Sequence, residues 1–254
     1  MSVESASDFL GIKRISNVVA VTLKRMREYA RPGMSTKELD EYGRRMLQEY
    51  GARSAPKIIY NFPGWTCISV NHDFVHGIPS ENIILKEGDL VNIDVSAELD
   101  GFYSDNGGSF ILGKDLQQLG PLVEASKNIL LKAIDQIKGG VKIAETGYLI
   151  ETEAKRYGLK VIKNLAGHGV GRSLHEEPYE ILCCYNRSNK KRFRKNSVVA
   201  IETFISTKAT YAYEKSDGWT MATKDSSFVA QHEHTIMVTG DEPVILTEAN
   251  GIWG

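Results

Sequence analysis

Apolar and polar positions divide this chain into alternating helical and extended stretches. Phe9, Leu10, Ile15, Val18, Val19 and Leu23 share a helical period, which predicts a helix over residues 7–29. Ser35 and Glu38 form a Ser-x-x-Glu capping box, a pairing that satisfies two otherwise orphaned backbone donors, and it opens a second helix ending near Gly51. Residues 56–110 read as strands and loops. Helical spacing returns over 120–137, is broken by Gly139-Gly140, and resumes over 144–157, after which residues 159–246 revert to extended runs. Helices, strands, helices, strands is an α+β order with two similar halves. No low-complexity segment or obvious linker interrupts it. A chain of 254 residues with 42% hydrophobic content can bury a sizeable core, so residues 1–254 are expected to form one soluble domain.

Five charged or titratable side chains sit where this pattern expects apolar ones. Asp94 ends the run Leu90-Val91-Asn92-Ile93-Asp94-Val95, and Asp105 ends Gly101-Phe102-Tyr103-Ser104-Asp105. Asp100-Gly101 is a favoured two-residue hairpin turn, so Leu99 is expected opposite Phe102 and Ser96 opposite Asp105. Asp94, two residues from Ser96, then shares a face with Asp105, with diagonal partners about 7–8 Å apart. The same spacing also fits a hairpin with one solvated face. Glu202 follows the apolar run Ser197-Val198-Val199-Ala200-Ile201, and Glu233 precedes His234-Thr235-Ile236-Met237-Val238. His168 lies between glycines in Ala166-Gly167-His168-Gly169-Val170-Gly171, where backbones can approach closely and an imidazole stays accessible. Each residue alone has an ordinary structural explanation. Together, four acids in strand-like surroundings need a common counter-charge, because an unpaired buried carboxylate is prohibitively costly.

One or two metal ions would supply that charge. Four carboxylates and one imidazole are a hard, oxygen-rich donor set that suits manganese, iron(II) or cobalt(II) and tolerates zinc. Because carboxylates can bridge, five such ligands suffice for two ions with room left for a water. The net charge is −1, and Lys190-Lys191-Arg192-Phe193-Arg194-Lys195 is the one basic cluster that could meet nucleic acid or a ribosome; a solvated loop before a strand explains it as well. Cys67, Cys183 and Cys184 make neither a disulfide framework nor a zinc spacing. The N-terminus has no charged region followed by an apolar core, and no run approaches membrane-spanning length, which argues for the cytosol and against a membrane partner.

Val75-His76-Gly77-Ile78-Pro79, Gly88-Asp89-Leu90-Val91-Asn92-Ile93-Asp94-Val95, Gly167-His168-Gly169-Val170-Gly171, Leu174-His175-Glu176-Glu177-Pro178 and Glu233-His234-Thr235 occur in this order, and together they resemble the motifs of type I methionine aminopeptidases over essentially the whole chain. The resemblance implies the pita-bread fold, two pseudo-symmetric α+β halves with an inner antiparallel sheet covered by helices. It implies a monomeric metallopeptidase that removes the initiator methionine from nascent proteins and peptides with a water activated by two divalent metal ions. Its ligands map onto Asp94, Asp105, His168, Glu202 and Glu233. Glu202 corresponds to the general base and later acid, His76 to a contact with the scissile amide nitrogen, and His175 to a group that polarises the carbonyl oxygen. Phe62, Cys67, Leu174 and Trp219 correspond to walls of the pocket for the methionine side chain, although each could equally be core. His232 and His234 flank Glu233 on a strand and are expected on its opposite face; His72 has no clear role.

Two positions depart from the family pattern. Asn106 follows Asp105 where a threonine or serine is common, which is expected to loosen the hydrogen bonding of that carboxylate, and Thr203 stands where a proline often follows the base glutamate. The chain is without the N-terminal zinc-binding extension of eukaryotic type I enzymes and the helical insertion of type II enzymes, so it resembles the compact bacterial form. Prolidases and aminopeptidases P normally carry a large N-terminal domain, for which a first metal ligand at Asp94 leaves no room. A non-catalytic binding module on the same fold would be expected to have lost ligands, and here the set is complete.

Overall fold

Among residues 2–251, which the computed structural model of the protein describes, each half is built as a pair of helices followed by strands. Helix α1 spans Ala6–Tyr29 and is capped by Ser5, whose hydroxyl accepts from the Asp8 amide while the Asp8 carboxylate accepts from the Ser5 amide. Its buried side carries Ile12, Ile15, Val18, Val19, Leu23 and Met26, whereas Leu10 lies outside that stripe and is exposed. Helix α2, Thr36–Glu49, starts at the predicted capping box, with Ser35 N donating to Glu38 Oε2 at 2.7 Å. Helix α3, Ala55–Tyr60, falls inside the stretch expected to be strands and loops. Six residues are too few for a helical period to register; the local signals were Ser54, which accepts from Lys57 N, and Pro56 in the first turn. Helices α4, Gly120–Asp135, and α5, Ile143–Arg156, flank the Gly139-Gly140 break. None of these helices is long and apolar enough to cross a membrane.

The symmetry of the halves is visible in the order of the main antiparallel sheet. From one side it runs Ala166–Gly169, Val198–Ser206, Val229–Met237, then Gly107–Ile111, Leu90–Asp94, Cys67–Val70. Three strands of the second half thus meet three of the first half in reversed chain order, with Glu176–Leu182 added outside Ala166–Gly169, and the short Lys160–Val161 and Val244–Ile245 paired to Val198–Ser206 and Val229–Met237. Helix α1 packs its apolar stripe with Val91, Ile93, Val95 and Leu99 in one core, and α4 and α5 contribute Leu122, Ile129, Ile150 and Ala154 to a second core with Phe204 and Ile205. Both helix pairs cover the same face of the sheet, which leaves the other face free at its centre.

The hairpin turns at Asp100-Gly101, with left-handed φ values of 54° and 79°, and pairs Leu99 with Phe102 as predicted. Its outer part, Ala97–Leu99 and Phe102–Ser104, leaves the main sheet and joins Arg53–Ser54 in a separate three-stranded sheet. Ser96 and Asp105 lie at the transition between the two.

Helix α2 is tied to the edge of the main sheet by one carboxylate. Asp40 is fully buried and accepts from the Trp65 and Thr66 amides at 2.9 Å and from the Thr66 hydroxyl at 3.0 Å, immediately before Cys67. Burial pushes its pKa up, against the lowering effect of those bonds and of Lys37. Replacing Asp40 with Ala would leave two buried amides without an acceptor, and a loss of about 2–4 kcal/mol is expected in urea unfolding. An unchanged midpoint would show that this tie contributes nothing.

Candidate active site

The register of the main sheet explains how residues distant in sequence reach one place. Cys67 pairs with Asp94, Asp94 with Gly107, and Glu233 with Glu202; His232 opposite Gly108 sets Gly107 beside Glu233 one residue further on. Cys67, Asp94, Gly107, Glu233 and Glu202 therefore form a single rung across five strands, and directly opposed residues point to the same face. Two residues along, Ala200 pairs with both His168 and Thr235, and Asp105 N donates to Thr235 Oγ1 at 3.1 Å. This second rung carries Asp105 on one side and His168 on the other, with the small Thr235 and Ala200 between them. All five predicted ligands thus share the face that the two helix pairs leave uncovered.

Close approach of the strands matters at three glycines. A Cβ on Gly167 would lie 2.5 Å from the Ala200 carbonyl, and one on Gly169 2.3 Å from that of Glu177, so the backbone beside His168 admits no larger residue. Gly107 leaves its place in the first rung to the Gln231 side chain, which a Cβ there would meet at 2.6 Å. Gln231 Nε2 donates to Glu233 Oε2 at 3.1 Å, and Asn92 Nδ2 donates to Gln231 Oε1 at 2.7 Å. His76 is held in a left-handed conformation, φ 56°, next to the strand Cys67–Val70, an uncommon backbone for a residue with a side chain.

At the centre, one ligand atom each from Asp105, His168 and Glu233 lie within 4.8 Å of one another. His168 Nε2 is 3.7 Å from Asp105 Oδ2 and 4.0 Å from Glu202 Oε1. The tautomer is fixed by the other nitrogen: Nδ1 donates to the Gly169 carbonyl at 3.0 Å, which leaves the Nε2 lone pair facing the acids. Asp105 Oδ1 accepts from Ser96 Oγ at 2.6 Å and from Asn106 N at 2.9 Å. The Asn106 side chain makes no bond to that carboxylate: only its backbone amide does, while its side-chain oxygen accepts from Asn250 at 2.8 Å.

These acids are poorly compensated by protein alone. Asp94 Oδ1 and Glu233 Oε1 are buried and accept no hydrogen bond among the described residues. Burial, followed by the charge of Asp105, pushes Asp94, Glu202 and Glu233 well above the ordinary carboxylate range. Orphaned acceptors, mutual repulsion and an imidazole lone pair aimed at the same point are what a divalent cation would relieve, so the donor set fits a metal centre.

The acids floor a cavity of about 240 Å³ whose lining includes every residue expected to act in catalysis, metal binding or the methionine pocket: Phe62, Cys67, His76, Leu174, His175 and Trp219 as well as the five ligands. Phe62 and Trp219 meet edge to face with ring centroids 5.1 Å apart. His76 and His175 show accessible surface at the cavity, yet protein crowds the remainder of each ring. The resulting loss of hydration pushes both pKa values down, that of His175 to about 4.

Several contributors were missed from sequence. Tyr60 lines the cavity with its hydroxyl 2.7 Å from His175 Nδ1, but it lies on the unrecognised α3. Gln231 could have been found, since it stands two residues before Glu233 on one strand and so shares its face. Other residues are placed away from the cavity. His232 and His234 point to the opposite face, toward Ser126 of α4 at 3.0 Å and Thr247 at 2.7 Å. Thr203 is on that face too, 3.2 Å from Ser126 Oγ. His72 packs on Phe228. Cys183 is buried, its thiol donating to the Glu202 carbonyl at 3.3 Å. In the basic cluster, Lys191 pairs with Glu177 at 2.8 Å and Phe193 is buried.

The profile of metallopeptidase family M24 matches residues 11–240. Methionine aminopeptidase 2 of Bacillus subtilis is 49% identical over 98% of this chain and 100% of its own length, and the methionine aminopeptidase of Aquifex aeolicus is 37% identical over 93% and 95%. Among solved structures, methionine aminopeptidase from Thermotoga maritima superposes with a TM-score of 0.92 at 33% identity, covering 97% of this chain and 99% of that one. Prolidase from Pyrococcus furiosus, 20% identical, shares the fold at a TM-score of 0.77, and the match spans 65% of its length. The two rungs of acids and imidazole therefore lie in a pita-bread fold, and the chain belongs to the methionine aminopeptidase branch of metallopeptidase family M24.

Proposed function

We propose that residues 1–254 act as one catalytic domain that removes the initiator methionine from nascent proteins and peptides in the cytoplasm, as a monomer. Metal-dependent aminopeptidase activity follows from the family; the assignment of its parts rests on one observation, the convergence of Asp105, His168 and Glu233 with the orphaned oxygen of Asp94 on the floor of an apolar-walled cavity. Two divalent ions, drawn from manganese, iron(II), cobalt and zinc, would be held by Asp94, Asp105, His168, Glu202 and Glu233. When bound they supply the positive charge that makes water a nucleophile at neutral pH and balances the oxyanion formed from the scissile carbonyl.

The chain's own groups divide the remaining work. Glu202, on the cavity floor, takes the proton released by the attacking water at its carboxylate and returns it to the leaving amine. Neutral His175 donates to the carbonyl oxygen as negative charge grows there, and His76 contacts the scissile nitrogen. Phe62, Cys67, Leu174 and Trp219 offer an apolar, unbranched slot for the methionine side chain. The basic cluster at 190–195 is a surface through which the enzyme could meet the ribosome, and nothing in the cavity calls for nucleic acid as substrate.

With Glu202 changed to Gln, turnover of a Met-Gly or Met-Ala peptide is expected to fall by roughly 10²–10⁴-fold while circular dichroism stays native. An unchanged rate would overturn the assigned role, and hydrolysis of Xaa-Pro in place of Met-Ala peptides by the parent protein would overturn the substrate.

Metal removal should expose the charge imbalance. In the stripped protein, Asp94, Glu202 and Glu233 keep protons to higher pH than in the unfolded chain, so the folded state binds more protons above the ordinary carboxylate range. Their contribution to stability is then full at acid pH and is lost as pH rises. The Tm of the stripped protein is expected to fall between about pH 5 and about pH 8, and manganese, iron(II), cobalt or zinc should raise it most at the upper end. A pH-independent Tm without metal, or no shift with any of the four ions, would contradict the ligand assignment.

A further inference from the structure

His175 can polarise a carbonyl only if the nitrogen facing the substrate carries a proton. A neutral imidazole has one N–H, and which nitrogen bears it is decided by the partner of the other. Nδ1 of His175 lies 2.7 Å from the Tyr60 hydroxyl. Two arrangements fit that distance: the phenol donates to Nδ1, or Nδ1–H donates to the phenol oxygen. A phenol is a strong donor and a weak acceptor, while an unprotonated imidazole nitrogen is a strong acceptor, so the first is the more stable. Desolvation and Asp105 keep the Tyr60 hydroxyl protonated and therefore able to donate.

The placement of Tyr60 agrees with this use. It is 44% exposed, so the core does not require its ring, yet it lines the cavity from the last turn of α3, which ends at Asn61 in a left-handed conformation, φ 57°. On its other side the His175 ring packs at 4.1 Å from that of His168, so the imidazole is confined between a metal-centre residue and the phenol.

We propose that Tyr60 is a positioning residue for the peptidase reaction, its hydroxyl donating to His175 Nδ1 and so presenting Nε2–H to the scissile carbonyl oxygen. The inference rests on the role given to His175 above. It extends to the tautomer the logic seen at His168, where a backbone carbonyl fixes the opposite form: an acceptor holds the Nδ1 proton of His168 and frees Nε2 as a ligand, while a donor at Nδ1 of His175 puts the proton on Nε2.

The test compares the parent protein with Tyr60→Phe, which keeps the ring and removes the hydroxyl. For a Met-Ala-Ser tripeptide with manganese-loaded enzyme, kcat is expected to fall roughly 5- to 10-fold with KM changed less than about twofold, because the lost bond acts on the transition state and not on docking. Nitrogen-15 spectra of histidine-labelled protein loaded with diamagnetic zinc read the tautomer independently of turnover. The parent is expected to show His175 protonated at Nε2 with Nδ1 shifted as a hydrogen-bond acceptor, and that shift should disappear in Tyr60→Phe. A parent ring protonated at Nδ1, or a variant with parental kcat, would overturn the inference while leaving the peptidase reading intact. Failure of the parent to cleave the tripeptide with any of the four ions would instead remove that reading.

Discussion

Repulsion among buried carboxylates is the constraint on which the rest of this structure depends. Asp94, Glu202 and Glu233 share one rung of an antiparallel sheet, and Asp105 sits two residues along on the same face. Asp94 Oδ1 and Glu233 Oε1 are buried without a donor among the described residues, which is costly for a charged carboxylate. The surrounding protein satisfies only part of the demand, through Gln231 for Glu233, Ser96 and the Asn106 amide for Asp105, and a cation would meet the remainder. Folding energy drawn from the apolar cores is what brings these acids together, and a cation bound there would offset part of that cost.

The pseudo-two-fold order of the sheet explains why the acids meet where they do. Gly107–Ile111 and Val229–Met237, one strand from each half, lie side by side at the centre, each flanked by a strand of its own half. A rung crossing this seam collects one residue from each of four central strands, two from each half. Because both helix pairs cover the other face, the seam stays open on the side of the acids. His232 and His234, one residue away from Glu233, are turned to the opposite face, where they meet Ser126 of α4 and Thr247. A one-residue slip in register would exchange them for the acid and destroy the site.

Much of this was legible in the sequence because it depends on periods and on charge in the wrong place. The capping box at Ser35, the Asp100-Gly101 turn and the Leu99-Phe102 register are local patterns with local causes, and the structure reproduces them. The five out-of-place side chains were visible because apolar strands make each conspicuous. Pairing between strands far apart in sequence was not legible: nothing near Asp94 indicates that Gly107 intervenes between it and Glu233, or that Gln231 fills the space. Helix α3 was missed because a six-residue helix has under two turns in which to show a stripe, and with it went Tyr60.

The site also separates groups that must remain charged from groups that must not. Acids on the floor are paired with a place for cations, while the two imidazoles at the mouth, His76 and His175, lose hydration without gaining an acid bonded to them and so stay neutral. Had a carboxylate stood where Tyr60 stands, His175 would be drawn toward its charged form and would bring a permanent positive charge beside the place where the substrate's free amine must enter. A phenol at 2.7 Å orients the ring without that charge. Neutral imidazoles at the mouth thus leave an entering amine without a competing positive charge, while the acids on the floor remain free to meet cations.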